Sequence, residues 1–347
     1  MVLPHTIALD VMGGDRGPEV VIPGANLSLI RQPDIRFLLY GHEKAIRRSL
    51  ERYPDLAGKS EIIHTDVSIP MDARPSQALR KGRWKSGMWL AIQAVRDGKA
   101  GAVVSAGNTG ALMAMAKFCL KTLPGIERPA IAAIWPTVSS ECIVLDVGAN
   151  VSATARQLVE FAVMGAAMAH DVFGQKRPTV GLLNIGVEEI KGLDEIRNAS
   201  VALRSFDPPF EYKGFVEGDD VGQGVVDVVV TEGFAGNIAL KTAEGTAKQI
   251  GAYLRAAMNR SLLARLGAFL AQDAFRALSD KMDPRHSNGG VFLGLNGIVI
   301  KSHGGTDATG FASAIDLSYG LARERMVERI AENIQKYHAT LKLDDVA

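Results

Sequence analysis

Cysteine is nearly absent from this chain: Cys119 and Cys142 are the two in 347 residues. Two thiols build no disulfide framework and here match no metal-ligand spacing, so a reducing cytosol is the expected setting. A charge imbalance is missing too. With 39 basic and 38 acidic residues the formal net charge is +1, and no global field draws the chain toward nucleic acid. No apolar run approaches the roughly 18–20 residues that span a bilayer. The longest candidate, Leu158 to Ala169, is interrupted by Glu160 and ends at His170-Asp171. The opening residues lack a basic stretch followed by an apolar one, so no signal peptide is expected. A soluble protein is expected, with contact at a membrane surface left open.

The common catalytic signatures are also missing. No G-x-x-x-x-G-K-[ST] occurs, which argues against a Walker-type nucleotide site. The first glycine-rich turn, Met12-Gly13-Gly14-Asp15-Arg16-Gly17, is not G-x-G-x-x-G, which weakens a dinucleotide reading. G-x-S-x-G and H-E-x-x-H are absent, and neither cysteine sits at a strand-end turn with a histidine near it in sequence. Covalent catalysis therefore has no visible nucleophile.

What is present is ample core material, at 47% hydrophobic residues, and a regular alternation of strands with helices. Short β-branched runs such as Val225–Val230 read as strands buried on both faces. Ile131–Trp135 and Cys142–Asp146, separated by a polar turn, read as a hairpin. The pattern predicts an α/β fold, a mostly parallel sheet wrapped by helices, with ligands outside the carboxyl ends of the strands. No linker-like composition divides residues 1–347, so one α/β domain is expected, with a helical excursion at about 245–283.

The loops after strands are rich in Gly and Asn: Gly107-Asn108, Ala149-Asn150, Asn184 with Gly186, Gly236-Asn237 and Gly304-Gly305. In the stretch 225–245 a strand runs into Thr231-Glu232-Gly233, and a helix is expected from near Ala235 or Asn237. Unpaired N–H groups and the helix dipole would suit an anion there. Gly233 and Gly236 serving tight turn geometry alone is the alternative. Asn is a neutral amide donor that can hold a carbonyl or phosphate oxygen without adding a nucleophile. Lys191 and Lys301 each follow a strand end and are candidate phosphate partners; either could instead be surface, and Lys191 could pair with Glu188 or Glu189. Such a site fits a reaction whose substrate brings the nucleophile, as when phosphate attacks an acyl carbonyl.

Asp10-Val11-Met12-Gly13-Gly14-Asp15, Ser105-Ala106-Gly107-Asn108-Thr109-Gly110-Ala111-Leu112 and Asp146-Val147-Gly148-Ala149-Asn150 resemble the bacterial fatty acyl-acyl-carrier-protein:phosphate acyltransferases (PlsX type). So do Leu183-Asn184-Ile185-Gly186 running to Glu188-Glu189-Ile190-Lys191-Gly192, Gly214-Phe215-Val216-Glu217-Gly218, Gly233-Phe234-Ala235-Gly236-Asn237 and Lys301-Ser302-His303-Gly304. They come in the family's order over nearly the whole chain. The resemblance implies the fold of phosphate acetyltransferase and the isocitrate and isopropylmalate dehydrogenases. It implies transfer of a long-chain acyl group from acyl-carrier-protein thioester to inorganic phosphate, giving acyl phosphate for phospholipid synthesis. By motif, Lys191 and Asn237 are the expected catalytic pair. Gly13, Gly14, Asp15, Asn108, Thr109, Asn150, Asn184, Glu188, Gly236, Lys301 and His303 are the expected substrate- and phosphate-binding set. No cofactor or metal is expected. Ser287-Asn288 stand where the family often has a tyrosine before the glycine pair Gly289-Gly290.

The expected partners are acyl carrier protein, a second copy of the chain, a membrane surface and a glycerol-3-phosphate acyltransferase; no nucleic acid is expected. Arg74, Arg80, Arg83 and Lys85 form a basic cluster that reads either as a solvated face or as part of a docking site for the acidic carrier. In the excursion, Leu262, Leu266, Phe269 and Leu270 fall on one helical face beside Arg255, Arg260, Arg265 and Arg276, the pattern of an interfacial helix. A dimer contact or core helix is the alternative. The location implied is cytoplasmic, peripheral at the inner face of the cell membrane. Two other enzymes of this fold remain as rivals: a phosphate acetyl/butyryltransferase, and a metal- and NAD-dependent hydroxyacid dehydrogenase with Asp219-Asp220 as ligands. A non-catalytic carrier- or lipid-binding protein is the third.

Overall fold

Apolar runs without a polar break, such as Ala102–Ser105 and Val228–Val230, are stable only as strands covered on both sides. The computed structural model, which describes residues 5–281 and 288–344, buries both runs completely within one sheet. Strand β1 (Thr6–Asp10) leads to helix α1 (Pro18–Arg31), then β2 (Arg36–Gly41), α2 (Glu43–Leu50), α3 (Pro54–Gly58) and β3 (Ser60–His64). Next come α4 (Pro75–Gly82), α5 (Gly87–Arg96), β4 (Ala102–Ser105) and α6 (Thr109–Leu120). The hairpin β5 (Ala130–Pro136) and β6 (Glu141–Leu145) precedes α7 (Ala155–Phe173). β7 (Thr179–Leu183), α8 (Asp194–Arg204), β8 (Glu211–Val216), α9 (Gly218–Gln223) and β9 (Val228–Val230) follow. The helical excursion is α10 (Gly233–Met258), α11 (Leu262–Leu270) and α12 (Gln272–Lys281). β10 (Gly290–Leu293), β11 (Ile298–Lys301), α13 (Ala308–Arg323) and α14 (Met326–Asp344) complete the described elements.

The strand order is β3-β2-β1-β4-β11-β10-β5-β6-β9-β7-β8, with seven parallel pairings and three antiparallel ones. The antiparallel ones all sit at the centre, at β11–β10, β10–β5 and β5–β6. The sheet is therefore two parallel sets, β3-β2-β1-β4-β11 and β6-β9-β7-β8, running in opposite directions. The carboxyl ends of the strands, with their glycine-rich turns, therefore fall at two edges. The turns after β1, β4 and β11 are at one edge, and those after β6, β7 and β9 at the other.

Two local departures have physical causes. β9 begins at Val228 because the carboxylate of Asp227 is drawn to Thr179, accepting from its N–H and its hydroxyl at 2.7 Å each. The closing helix breaks in two at Arg325, whose φ of 56° no helix accommodates. α3, α4, α8, α9 and β10 fall where no element was expected. One apolar layer packs α1, α7, α13 and α14 on a face of the sheet, and a second packs α5 and α6 on the other. Helices α11 and α12 pack mainly on their own neighbours, and Leu262 and Leu270 stay 83% and 77% exposed. Among the described residues no helix is long and apolar enough to cross a membrane.

Candidate functional site

At the first edge the turns after β1, β4 and β11 are laced together. Asp15 N donates to Gly304 O at 3.0 Å, and Ser302 N to Ser105 O at 3.0 Å. Beneath them Ser105 Oγ donates to the buried Asp10 carboxylate at 2.8 Å and accepts from Gly107 N at 3.0 Å. The lacing explains the glycine pair. A Cβ on Gly13 would meet Asp10 Oδ2 and Gly107 N at 2.8 Å each, and Gly14 has a φ of +85°. Burial pushes the Asp10 carboxyl up to about 6, opposed by the Ser105 bond and the Lys301 charge. The Lys301 ammonium donates to Ala106 O (3.4 Å) and to Ser302 O. Burial lowers it to about 8, against the pull of Asp15 and Asp10.

At the second edge the organiser is Asp146, which no motif singled out as a site residue. Its buried carboxylate accepts from Ile131 N, Gly148 N, Ala149 N and Asn150 N at 2.7–3.1 Å, and from Asn150 Nδ2 at 2.9 Å. α10 starts at Gly233, earlier than expected, and its first turn holds no free anion site. Gly233 N donates to Asn150 O (2.7 Å), while the Glu232 carboxylate accepts from Phe234 N (2.6 Å) and Ala235 N (3.1 Å). Gly236 is required by packing, since a Cβ there would lie 1.9 Å from Asp146 O.

Most of the asparagines expected to face substrate give their amides to the protein. Asn108 caps α6 and donates to Met71 O and Ala73 O. Asn150 donates to Pro129 O as well as Asp146. Asn184 donates to Gly186 O and Lys191 O, holding the loop that carries Lys191. These bonds set loop shape, which the spacing of Gly and Asn alone could not distinguish from ligand contact. Asn237 differs. It is half-buried, donates to Val147 O at 3.0 Å, and faces a groove.

That groove, about 880 Å³, crosses the centre of the sheet, where strand directions reverse. On the β11 side it is lined by Lys301, His303 and Thr109, and on the β6 side by Val147 and Asn237. Its wall along β5 is Ile131, Ala133, Ile134 and Trp135; facing it is one side of α10, with Leu240, Ala243 and Ala247. The reversal thus lets turns from opposite edges contribute to one cavity. Asn288, not assigned a site role by the sequence, holds the Lys301 side of it. Its Nδ2 lies 2.9 Å from Ser302 Oγ and 3.1 Å from Thr306 Oγ1, and its Oδ1 accepts from His303 N at 3.0 Å. Ser287 lies outside the described residues.

A family model described as fatty acid synthesis protein matches residues 5–329. The chain belongs to this family. A relative from Azorhizobium caulinodans named phosphate acyltransferase is 64% identical over 335 residues, covering 96% of this chain and 94% of its own. Among solved structures, a phosphotransacetylase from Streptococcus pyogenes shares the fold at a TM-score of 0.62 and 19% identity, covering 92% of this chain and 94% of its own. A putative 4-hydroxythreonine-4-phosphate dehydrogenase from Salmonella typhimurium aligns at 0.52 and 13% identity, covering 91% and 99%.

In this member of the fatty acid synthesis protein family, Lys191 is exposed and does not line the groove. Among the described residues no carboxylate lies within 4.0 Å of it, so the pairing with Glu188 or Glu189 is not formed. Glu188 is exposed too, and its Oε2 stands 2.6 Å from where a Cβ on Gly186 would be. Asp220, offered for a dehydrogenase, accepts from Glu217 N at 2.9 Å as part of the cap of α9. Of the basic cluster, Arg74, Arg80 and Lys85 are exposed. Arg83 is not a free surface charge: its guanidinium lies 4.0 Å over the Phe118 ring and 4.6 Å over Trp84.

Proposed function

We propose that the chain transfers a long-chain fatty acyl group from acyl-carrier-protein thioester to inorganic phosphate, releasing acyl phosphate for phospholipid synthesis. The observation that carries this reading is the groove: an apolar wall for a chain, ending in Asn237 on one side and Lys301 with His303 on the other. Relatives named phosphate acyltransferase support it. β5 supplies seven residues, about 20 Å at ~3.3 Å per residue, a length that favours a long acyl chain over an acetyl or butyryl group. In the step, a phosphate oxygen attacks the thioester carbonyl, an oxyanion forms, and its collapse breaks the C–S bond to release the carrier thiol. Asn237 would donate to the acyl oxygen or the attacking phosphate, and Lys301, which lines the groove as Lys191 does not, would balance phosphate charge. The test gives purified protein palmitoyl-acyl-carrier protein with and without phosphate and traps product with hydroxylamine. Phosphate should add hydroxamate above the background that the thioester itself gives with hydroxylamine; equal yield in both arms would refute the reading.

The lowered Lys301 ammonium makes a pH prediction. Above about 8 the group loses its charge, so the KM for phosphate should rise steeply there in wild type. In a Lys301→Arg variant, which stays charged, the rise should vanish. A wild-type profile flat from pH 7 to 9.5 would remove Lys301 from phosphate binding.

Arg74, Arg80 and Lys85 are the proposed docking charges for the carrier. Exposed pairs are screened, so the carrier KM should increase with salt, and Arg74→Glu with Arg80→Glu should raise it at low salt. An unchanged KM would make the cluster solvated surface. The exposed apolar face of α11 is the proposed membrane contact, fitting an amphiphilic product that leaves for a membrane acyltransferase. Each buried CH₂ contributes about 0.8 kcal/mol, enough for reversible attachment through Leu262, Leu266 and Phe269. Wild type should float with anionic liposomes, and Leu266→Glu with Phe269→Glu should not. Loss of dimerisation in those variants without any wild-type flotation would assign the face to a homodimer contact.

A further inference from the structure

A second cavity, of about 620 Å³, lies between α1 and α2 and shares no lining residue with the groove. Its charge is one-sided. Arg16, Arg48 and Arg52 line it against a single carboxylate, Glu19. Arg48 lies in the last turn of α2 and Arg52 in the turn just after it. Among the described residues neither has a carboxylate within 4.0 Å, although the adjacent Arg47 is paired with Glu43 at 2.7 Å. Arg47 is therefore neutralised internally, while Arg48 and Arg52, which line the cavity, are left uncompensated.

The rest of the lining is not that of a bare ion site. Met12, Pro18, Pro23 and Ala45 give apolar walls, Tyr53 an aromatic ring with a hydroxyl, and Ser49 a second hydroxyl. Guanidinium forks match phosphate oxygens two at a time, and a cavity of this size suits a small organic molecule. We propose that the crevice binds an organic phosphate ester, a phosphate carried on an apolar or aromatic group, at a site separate from the acyl-transfer groove. Arg16 links the two cavities, because its Nη2 donates at 3.4 Å to the carbonyl of Thr306, a residue of the groove lining.

The test is calorimetric titration of the full chain at low ionic strength with adenosine 3′,5′-bisphosphate and, separately, 4′-phosphopantetheine. Inorganic phosphate serves as the reference. At least one ester should bind at least tenfold more tightly than inorganic phosphate, and which one binds identifies the source of the ester. The double variant Arg48→Gln, Arg52→Gln should weaken that binding at least tenfold. Both side chains are exposed, so the fold should survive the change. Asn237→Ala, which alters the groove from the opposite sheet edge and touches neither the turn after β1 nor that after β11, should leave ester binding intact, whatever becomes of acyl transfer. The proposal is overturned if neither ester binds, if inorganic phosphate binds as tightly, or if the arginine double variant binds normally. Loss of ester binding in Asn237→Ala also overturns it by placing the ester in the groove.

Discussion

Asn237→Ala is expected to lower kcat by about 10²–10³, the usual effect of removing one donor from a developing oxyanion. Asn237 is the one of the turn asparagines Asn108, Asn150, Asn184 and Asn237 that faces the groove. Its position is fixed from two sides. The Nδ2 bond to Val147 O holds the amide, and Gly148 leaves room for it, since a Cβ there would stand 2.7 Å from Nδ2. One N–H of the amide remains for a ligand. The variant leaves Val147 O without this partner, a loss of about 1 kcal/mol that should lower Tm by a few degrees at most. Single-turnover rates and melting curves measured side by side separate the two effects. Near wild-type turnover with an unchanged Tm would end the catalytic role of this residue.

Asp146→Ala should instead act on the fold. Five N–H groups converge on this carboxylate, from Ile131, Gly148, Ala149 and both nitrogens of Asn150. Burial pushes the Asp146 carboxyl up, and the converging donors pull it back. Removing the acceptor strands several buried donors at once, and a loss of about 3–5 kcal/mol is expected. Tm should fall by at least about 5 °C, and the turn from Val147 to Asn150 that seats Asn237 should loosen. Asp146→Asn fills the space but points an NH₂ at donors, so it should recover little. A Tm within about 2 °C of wild type for the alanine variant would show that the turn is held by other contacts.

Local structure was readable because its causes are local. β-branched runs flanked by glycine announce β4, β6 and β9, and the polar turn from Thr137 to Ser140 announces the β5–β6 hairpin. β10 was not readable: Gly290–Leu293 is four residues long, and its strand form depends on β11 and β5 on either side. The capping of α10 by Glu232 was also missed. Ser, Thr, Asp and Asn are the usual N-cap residues, so a Glu at this position gives no local cap signal.

For the candidate site, the sequence alone determined the family, through motifs whose order and identity need no coordinates, and it named Asn237, Lys301 and His303. It could not say which of its amides were free. Asn108, Asn150, Asn184 and Asn237 follow strands in the same way, and only three-dimensional packing decides that three of them bind loops while the fourth faces a cavity. Nor could it place Arg83 among Trp84, Trp89 and Phe118, a cage drawn from two helices and the turn between α4 and α5. The tertiary structure decided, above all, that Asn237 and Lys301 share one groove. Their strands run in opposite directions, so their turns lie at opposite sheet edges. The antiparallel core of β10 and β5 is what brings both to the same face, a consequence of strand order that no local pattern encodes.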